Sequence, residues 1–147
     1  MPETRKDPLM DFRFLVEIKG LIVAGFSEVS GLQQEIDIED YIEGGNDFVH
    51  KLPKGIKHNN LILKRGMTDS DTLWKWYQKT ADAILYKKPI PLMDIYVVIL
   101  NENREESWRF FFKDAYPIKW TGPELRGTGN NIAIEALEIV HKGFRKA

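Results

Sequence analysis

The chain alternates apolar and polar residues at a period of two in several separate runs, each broken by glycine or proline, and only one stretch repeats at the period of a helix. Phe12-Arg-Phe-Leu-Val-Glu-Ile-Lys places Phe12, Phe14, Val16 and Ile18 on one side and Arg13, Leu15, Glu17 and Lys19 on the other. That is the pattern of a strand half buried against a core. Gly20 permits a tight turn into Leu21 to Ser30, and Gly31 precedes a second alternating run, Glu35 to Ile42. A bulge near Gly31 would join the two into one long bent strand. Glu43-Gly-Gly-Asn-Asp and Leu52-Pro-Lys-Gly both carry turn residues, so residues 43–56 are expected as one extended connection. A connection of that length inside a domain ordinarily serves a function. His58 to Arg65 then resumes a strand that ends at Gly66.

The helical stretch follows Thr68-Asp-Ser-Asp, whose oxygens suit a helix N-terminus, and covers about residues 69–86. Leu73, Trp76, Tyr77, Ala81 and Ile84 share its apolar side. Lys87-Lys-Pro-Ile-Pro ends it, because proline lacks the amide donor and disfavours helix in the residue before it. Leu92 to Leu100 is apolar on both faces, Asn101-Glu-Asn-Arg is a turn, and Glu106 to Lys113 alternates around Trp108, Phe110 and Phe112. These form a hairpin, and a last strand, Ile132 to Val140, closes the domain. The expectation is a mainly β domain of six or seven strands: two packed sheets forming a small β-barrel or sandwich with one flanking helix. At 147 residues, without repeat or linker, the chain reads as one domain.

Composition narrows the function. There is no cysteine, which removes disulfides, thiolate metal sites and cysteine nucleophiles together. The net charge of -1 gives no overall field for nucleic acid or an anionic membrane. The N-terminus lacks the apolar core of a signal peptide, and no run approaches the roughly 20 apolar residues of a membrane span. Synthesis and folding in the cytoplasm are expected, with no membrane anchor and with export, if any, by another route than general secretion.

Candidate chemistry is sparse. His50, His58 and His141 lack any ligand spacing, although strands are able to bring two of them together. Asp69 and Asp71 suit helix capping better than paired acid–base work. Gly127-Thr-Gly-Asn-Asn precedes a strand and lacks the Gly-Lys-Ser/Thr ending of a phosphate loop, so a hairpin turn is expected there. The basic C-terminus, His141-Lys-Gly-Phe-Arg-Lys, is expected to be solvated. No convergent polar set supports a small ligand-binding or isomerase-like barrel. Glu35, Asp37 and Glu39 share one strand face opposite Ile36 and Ile38; the plain reading is a solvated outer face, and the functional one a wet channel wall that repels acidic cargo. No catalytic, metal or cofactor residues are assigned.

Eight segments in order carry a family resemblance: Asp7-Pro-Leu, Phe12-x-Phe-x-Val-Glu-Ile, Ala24-Gly-Phe-Ser-Glu-Val-Ser-Gly-Leu, Tyr41-x-Glu-Gly-Gly, Lys51-Leu-Pro-x-Gly, Leu63-Lys-Arg-Gly, Trp120-x-Gly-Pro-x-Leu and Ile134-Glu-x-Leu-Glu-Ile. Together they resemble the tail tube proteins of contractile phage tails and phage-tail-like injection systems, relatives of the type VI secretion tube protein. The resemblance implies hexameric rings built by strand pairing, stacked into a tube within a contractile sheath, with baseplate, spike and terminator or cap proteins as partners and protein or DNA cargo in the lumen. It implies inter-ring or inter-subunit contacts through the N-terminal arm (residues 1–10, around Asp7) and through residues 43–56, with Glu43, Gly44, Gly45, Asp47, His50, Lys51, Pro53, Lys54 and Gly55 as candidates. Ile42 and Lys54 depart from the pattern. The final location implied is an extracellular or membrane-docked particle or a virion tail, and the compact length leans toward an injection particle. A tube initiator or baseplate adaptor of the same particle is the alternative.

Overall fold

The computed structural model of the protein describes residues 7–19, 21–23, 25–45 and 48–147. The first six residues of the expected arm, and the candidate Asp47, lie outside the described residues. In chain order come β1 (Phe14–Ile18), β2 (Leu21–Val23), β3 (Phe26–Ser30), β4 (Gln34–Ile42), β5 (Val49–His58), β6 (Leu61–Gly66) and α1 (Thr72–Leu85). After the helix follow β7 (Met93–Leu100), β8 (Glu106–Thr121), β9 (Ile134–Val140) and β10 (Phe144–Lys146).

The strands pair along the path β2-β1-β7-β8-β9-β6-β3, with β10 beside β8, while β4 and β5 form a separate hairpin. Strand β8 organises the body. Its first part pairs with β7 and β10, and from Tyr116 onward it pairs with β9. The change of partner coincides with a positive φ of 50° at Asp114 and a register shift between Pro117 and Lys119, irregularities that bend a strand from one sheet to another. Two sheets therefore pack face to face and share β8. The barrel is not closed, since β2 and β3 remain edges.

The side chains between the sheets follow the alternation. Val16, Ile95, Val97 and Phe112 meet Leu61, Leu63, Leu137 and Ile139, and α1 adds Leu73 and Trp76. Full burial of each large apolar side chain is worth about 1.5–3 kcal/mol. At the end of this core, Arg65 and Glu135 face each other across β6 and β9, with side chains 9% and 3% exposed and Nε 3.4 Å from Oε1. Strand β7, apolar on both faces, is covered on its second face as well: Val98 is 1% exposed although Val97 beside it points into the core. Its cross-strand neighbours are Leu15 and Arg109. Arg109 chelates Glu17 at 2.8 and 3.2 Å, bonds Glu106 at 2.6 Å, and lies over the Tyr96 ring. Both carboxylates hold the guanidinium above its ordinary pKa, Glu17 the more strongly.

Several expectations need correction. Leu21 to Ile42 is not one bent strand: β2, β3 and β4 pair with three different partners, β1, β6 and β5. The corners are Gly25 at φ 88° and Gly31 at φ 97°, a region that side-chain-bearing residues avoid. Ten strands are described instead of six or seven, because single runs were cut by such corners. Residues 43–56 are not one extended connection, since β5 begins at Val49 and Leu52-Pro-Lys-Gly lies inside it. Pro53 fits there because β5 pairs only with β4, leaving an open edge, and because a bulge offsets the register between Asp37 and Ile38.

The helix is shorter than expected, and its buried residues are Leu73, Trp76, Thr80 and Ala83, whereas Ile84 is 63% exposed. Asp71 occupies the N-cap position without a side-chain capping bond; it pairs instead with Lys75 at 3.5 Å. The Gly127 region is not a tight hairpin turn but part of a long exposed connection between β8 and β9. The basic C-terminus is not simply solvated either: β10 pairs with β8, and Phe144 stacks on Phe112 at 4.9 Å.

Candidate assembly interface

Strands β4 and β5 run antiparallel over nine paired positions, from Gln34 opposite His58 to Ile42 opposite Val49. Almost every residue of both strands is exposed. The register sorts their side chains, since successive residues of a strand point to opposite faces. One face carries Ile36 with Ile56, Ile38 with Pro53, and Ile42 with Val49, interrupted only by the Asp40–Lys51 ion pair at 2.8 Å. The other carries Glu35, Asp37 and Glu39 with Lys57, Leu52, Tyr41 and His50. Lys57 neutralises Asp37 at 3.3 Å.

Among the described residues the apolar face lies uncovered: Ile36, Ile42 and Ile56 are 65%, 73% and 69% exposed. An isolated two-stranded hairpin is marginal in water, and contiguous exposed apolar surface marks an interaction site. These isoleucines are candidate contact residues that the sequence pattern alone does not mark. Their signal was present in β4 as alternation, but in β5 the bulge at Lys54 shifts the phase and hides it.

The other candidates fall around this hairpin. Glu43, Gly44 and Gly45 form its tip, with Gly45 at φ 92°. His50 lies 3.7 Å from Glu43 and close to Tyr41 and Phe48. Lys54 and Gly55 form the bulge beside Pro53. Asp7 is exposed and lies apart from the hairpin, along a cleft between the described part of the arm and the β7–β8 turn. Among the described residues, strands β2 and β3 add two unpaired edges, ready donors and acceptors for another chain. His58 and His141 do meet, at the root of the hairpin. Among the described residues no three His, Asp or Glu side chains converge on a metal position, and no helix is long and apolar enough to cross a membrane.

No curated protein sequence matches the chain. Among solved structures it is similar to a chain of the sheath/tube terminator of the PVC extracellular contractile injection system in its extended state, with 23% identity, a TM-score of 0.84, and 98% and 99% of the two chains covered. It is similar to a chain of the tube-terminating cap of the anti-feeding prophage, with 22% identity, a TM-score of 0.83, and 100% and 97% covered. Hcp1 from Flavobacterium johnsoniae shares the fold more distantly, at 13% identity and a TM-score of 0.56 over 92% and 94% of the chains. The sequence model of the T4-like virus tail tube protein gp19 matches residues 10–145. That match spans nearly the whole chain, so the protein belongs to the family of the T4-like virus tail tube protein gp19.

Proposed function

We propose that the chain is the structural subunit of the inner tube of a contractile injection system or contractile phage tail, assembled as stacked hexameric rings around a lumen and driven forward when a sheath contracts. The observation that carries this is the hairpin β4–β5, whose apolar face is left exposed among the described residues. A neighbouring copy supplies the missing cover. Repeated head-to-tail use of unlike surfaces closes into rings when the rotation closes, and the free edges of β2 and β3 suit strand pairing between copies. Glu43, Gly44, Gly45, Asp47, His50, Lys51, Pro53, Lys54, Gly55 and the arm around Asp7 are the inter-ring contacts in this reading. Glu35, Asp37 and Glu39 line the lumen on the opposite face. The role is non-enzymatic: stiffness and a smooth bore for protein or DNA cargo, with sheath, baseplate, spike and terminator as partners. Assembly takes place in the bacterial cytoplasm, and the finished tube lies in a particle or virion tail.

Negative-stain electron microscopy of the concentrated protein tests this. Rings or tubes are expected for the native chain and their loss for Ile36→Asp with Ile56→Asp; a strictly monomeric native chain at all concentrations overturns the reading. The likeness to a chain in the anti-feeding prophage baseplate favours a second reading, a tube initiator or baseplate adaptor. Copy number in the purified particle separates the two, since an initiator is confined to one end.

A further inference from the structure

His58 ends β5 and His141 follows β9, 83 residues away, yet their rings stack with centroids 4.5 Å apart and planes 27° from parallel. Their nitrogens are committed in a crossed pattern. His58 Nε2 lies 3.0 Å from the His141 carbonyl, and His141 Nε2 lies 3.0 Å from the Asn59 carbonyl. Carbonyl oxygens only accept, so both Nε2 atoms carry hydrogen. The Gly143 amide donates to His141 Nδ1 at 3.0 Å, which requires that nitrogen to be bare. Both nitrogens of His141 are thereby assigned, and the ring is neutral.

We propose that His58 and His141 form a clasp that fixes the root of the β4–β5 hairpin to the turn between β9 and β10, and that acid releases it. Two features make the clasp intolerant of protons. A proton on His141 Nδ1 abolishes the bond from Gly143, and two imidazolium rings at stacking distance repel. The surroundings offer little compensation. Lys57 on β5, Lys113 on β8, Lys142 in the turn and Arg145 on β10 are all cationic. Of the nearby carboxylates, Asp37 is paired with Lys57 and Asp114 with Lys142, Glu138 on β9 accepts from the Asn60 amide and keeps its charge, and Glu35 on β4, which lines a surface depression with His58, stands opposite Lys57 in the strand register. Against the remaining face, Phe112 meets the His141 ring edge-on at 4.8 Å.

Burial also pushes His141 below the ordinary histidine range, with the adjacent His58 acting in the same direction and the Asn59 carbonyl opposing. The open form then binds more protons than the closed one below the free-imidazole pKa of about 6.5. Closure is complete above that pH and weakens as pH falls toward the lower value of the clasped ring. Each pH unit between the two titrations multiplies the open population about tenfold. In the tube reading the same event loosens the element that joins rings, but the clasp stands on its own contacts.

The test is hydrogen exchange of the full chain at pH 7.5 and 5.0, corrected for intrinsic rates, beside nitrogen chemical shifts of the imidazole rings. The expected result at pH 7.5 is the Nε2–H tautomer for both rings. At pH 5.0, faster exchange is expected in residues 56–60 and 140–145 while the β7–β8 core is unchanged, and the His58→Gln, His141→Gln variant should exchange equally at both pH values. His50, in the same hairpin but away from the root, is the internal control. A pH-independent root in the native chain, or the Nδ1–H tautomer at His141, overturns the clasp whether or not the protein forms tubes.

Discussion

Gly31 is the position where a single added carbon should do most damage. A Cβ built there falls 2.0 Å from the Asn60 carbonyl oxygen, where real Cβ atoms essentially never come closer than 3.0 Å, and the residue has a φ of 97°. Neither partner is free to yield. Asn60 is held through its side chain by Glu138 at 3.1 Å, and the next residue, Leu61, is fully buried in the core. Backbone strain contributes about 1–3 kcal/mol and overpacking about another 1–3, so Gly31→Ala should cost about 2–6 kcal/mol. Gly25 separates the two terms. It has a similar φ of 88° but open space around a built Cβ, so Gly25→Ala should cost only the strain, about 1–3 kcal/mol. Gly55→Ala, with open space and no positive φ, should stay within about 0.5 kcal/mol. Urea unfolding followed by tryptophan fluorescence reads the series; with slopes of about 2 kcal/mol per molar, Gly31→Ala should move the midpoint by about 1–3 M at unchanged slope. Equal losses for Gly31→Ala and Gly25→Ala would refute the close approach of β3's end to Asn60.

Three further outcomes are expected. Glu135→Ala leaves the Arg65 guanidinium buried without its partner and should cost about 3–5 kcal/mol, whereas Arg65→Met with Glu135→Leu should recover most of that loss; the same urea titration measures both. Phe112→Ala, at a fully buried site, should cost about 3–5 kcal/mol, while Ile84→Ala on the exposed end of the helix should stay within about 0.5 kcal/mol. Gly44→Val with Gly45→Val should block ring stacking in electron micrographs while the circular dichroism of the subunit is kept; tubes of normal length would remove the hairpin tip from the contact.

The β class, the lone helix and the hairpin β7–β8 were legible because their periodicity runs unbroken over eight or more residues. The helix was misphased at its end because apolar Ile84 suggested burial, while the chain buries Thr80 and Ala83. Small residues at a close helix–sheet contact carry little hydropathy signal. β5 reads as a loop in the sequence because Pro53 and Gly55 resemble turn formers, which on an open strand edge and at a bulge they need not be. The last strand β10 is three residues long, too short for any period. Of the candidate contacts, the tip glycines and the acidic face of β4 could be seen in the sequence. The isoleucine stripe could be assembled only once the register of β5 was known, and the histidine clasp only once the fold closed a gap of 83 residues.

Strand β8 has a mechanical meaning. Because one covalent backbone belongs to both sheets, sliding one half of the body along that strand relative to the other must stretch or bend peptide bonds, whereas peeling β2 or β3 from an edge breaks hydrogen bonds one after another. Such a subunit resists load very unequally by direction, like a laminate with a single continuous fibre. Pulled between points on opposite sheets it should yield at high force in one event, and pulled at an edge strand at low force in steps.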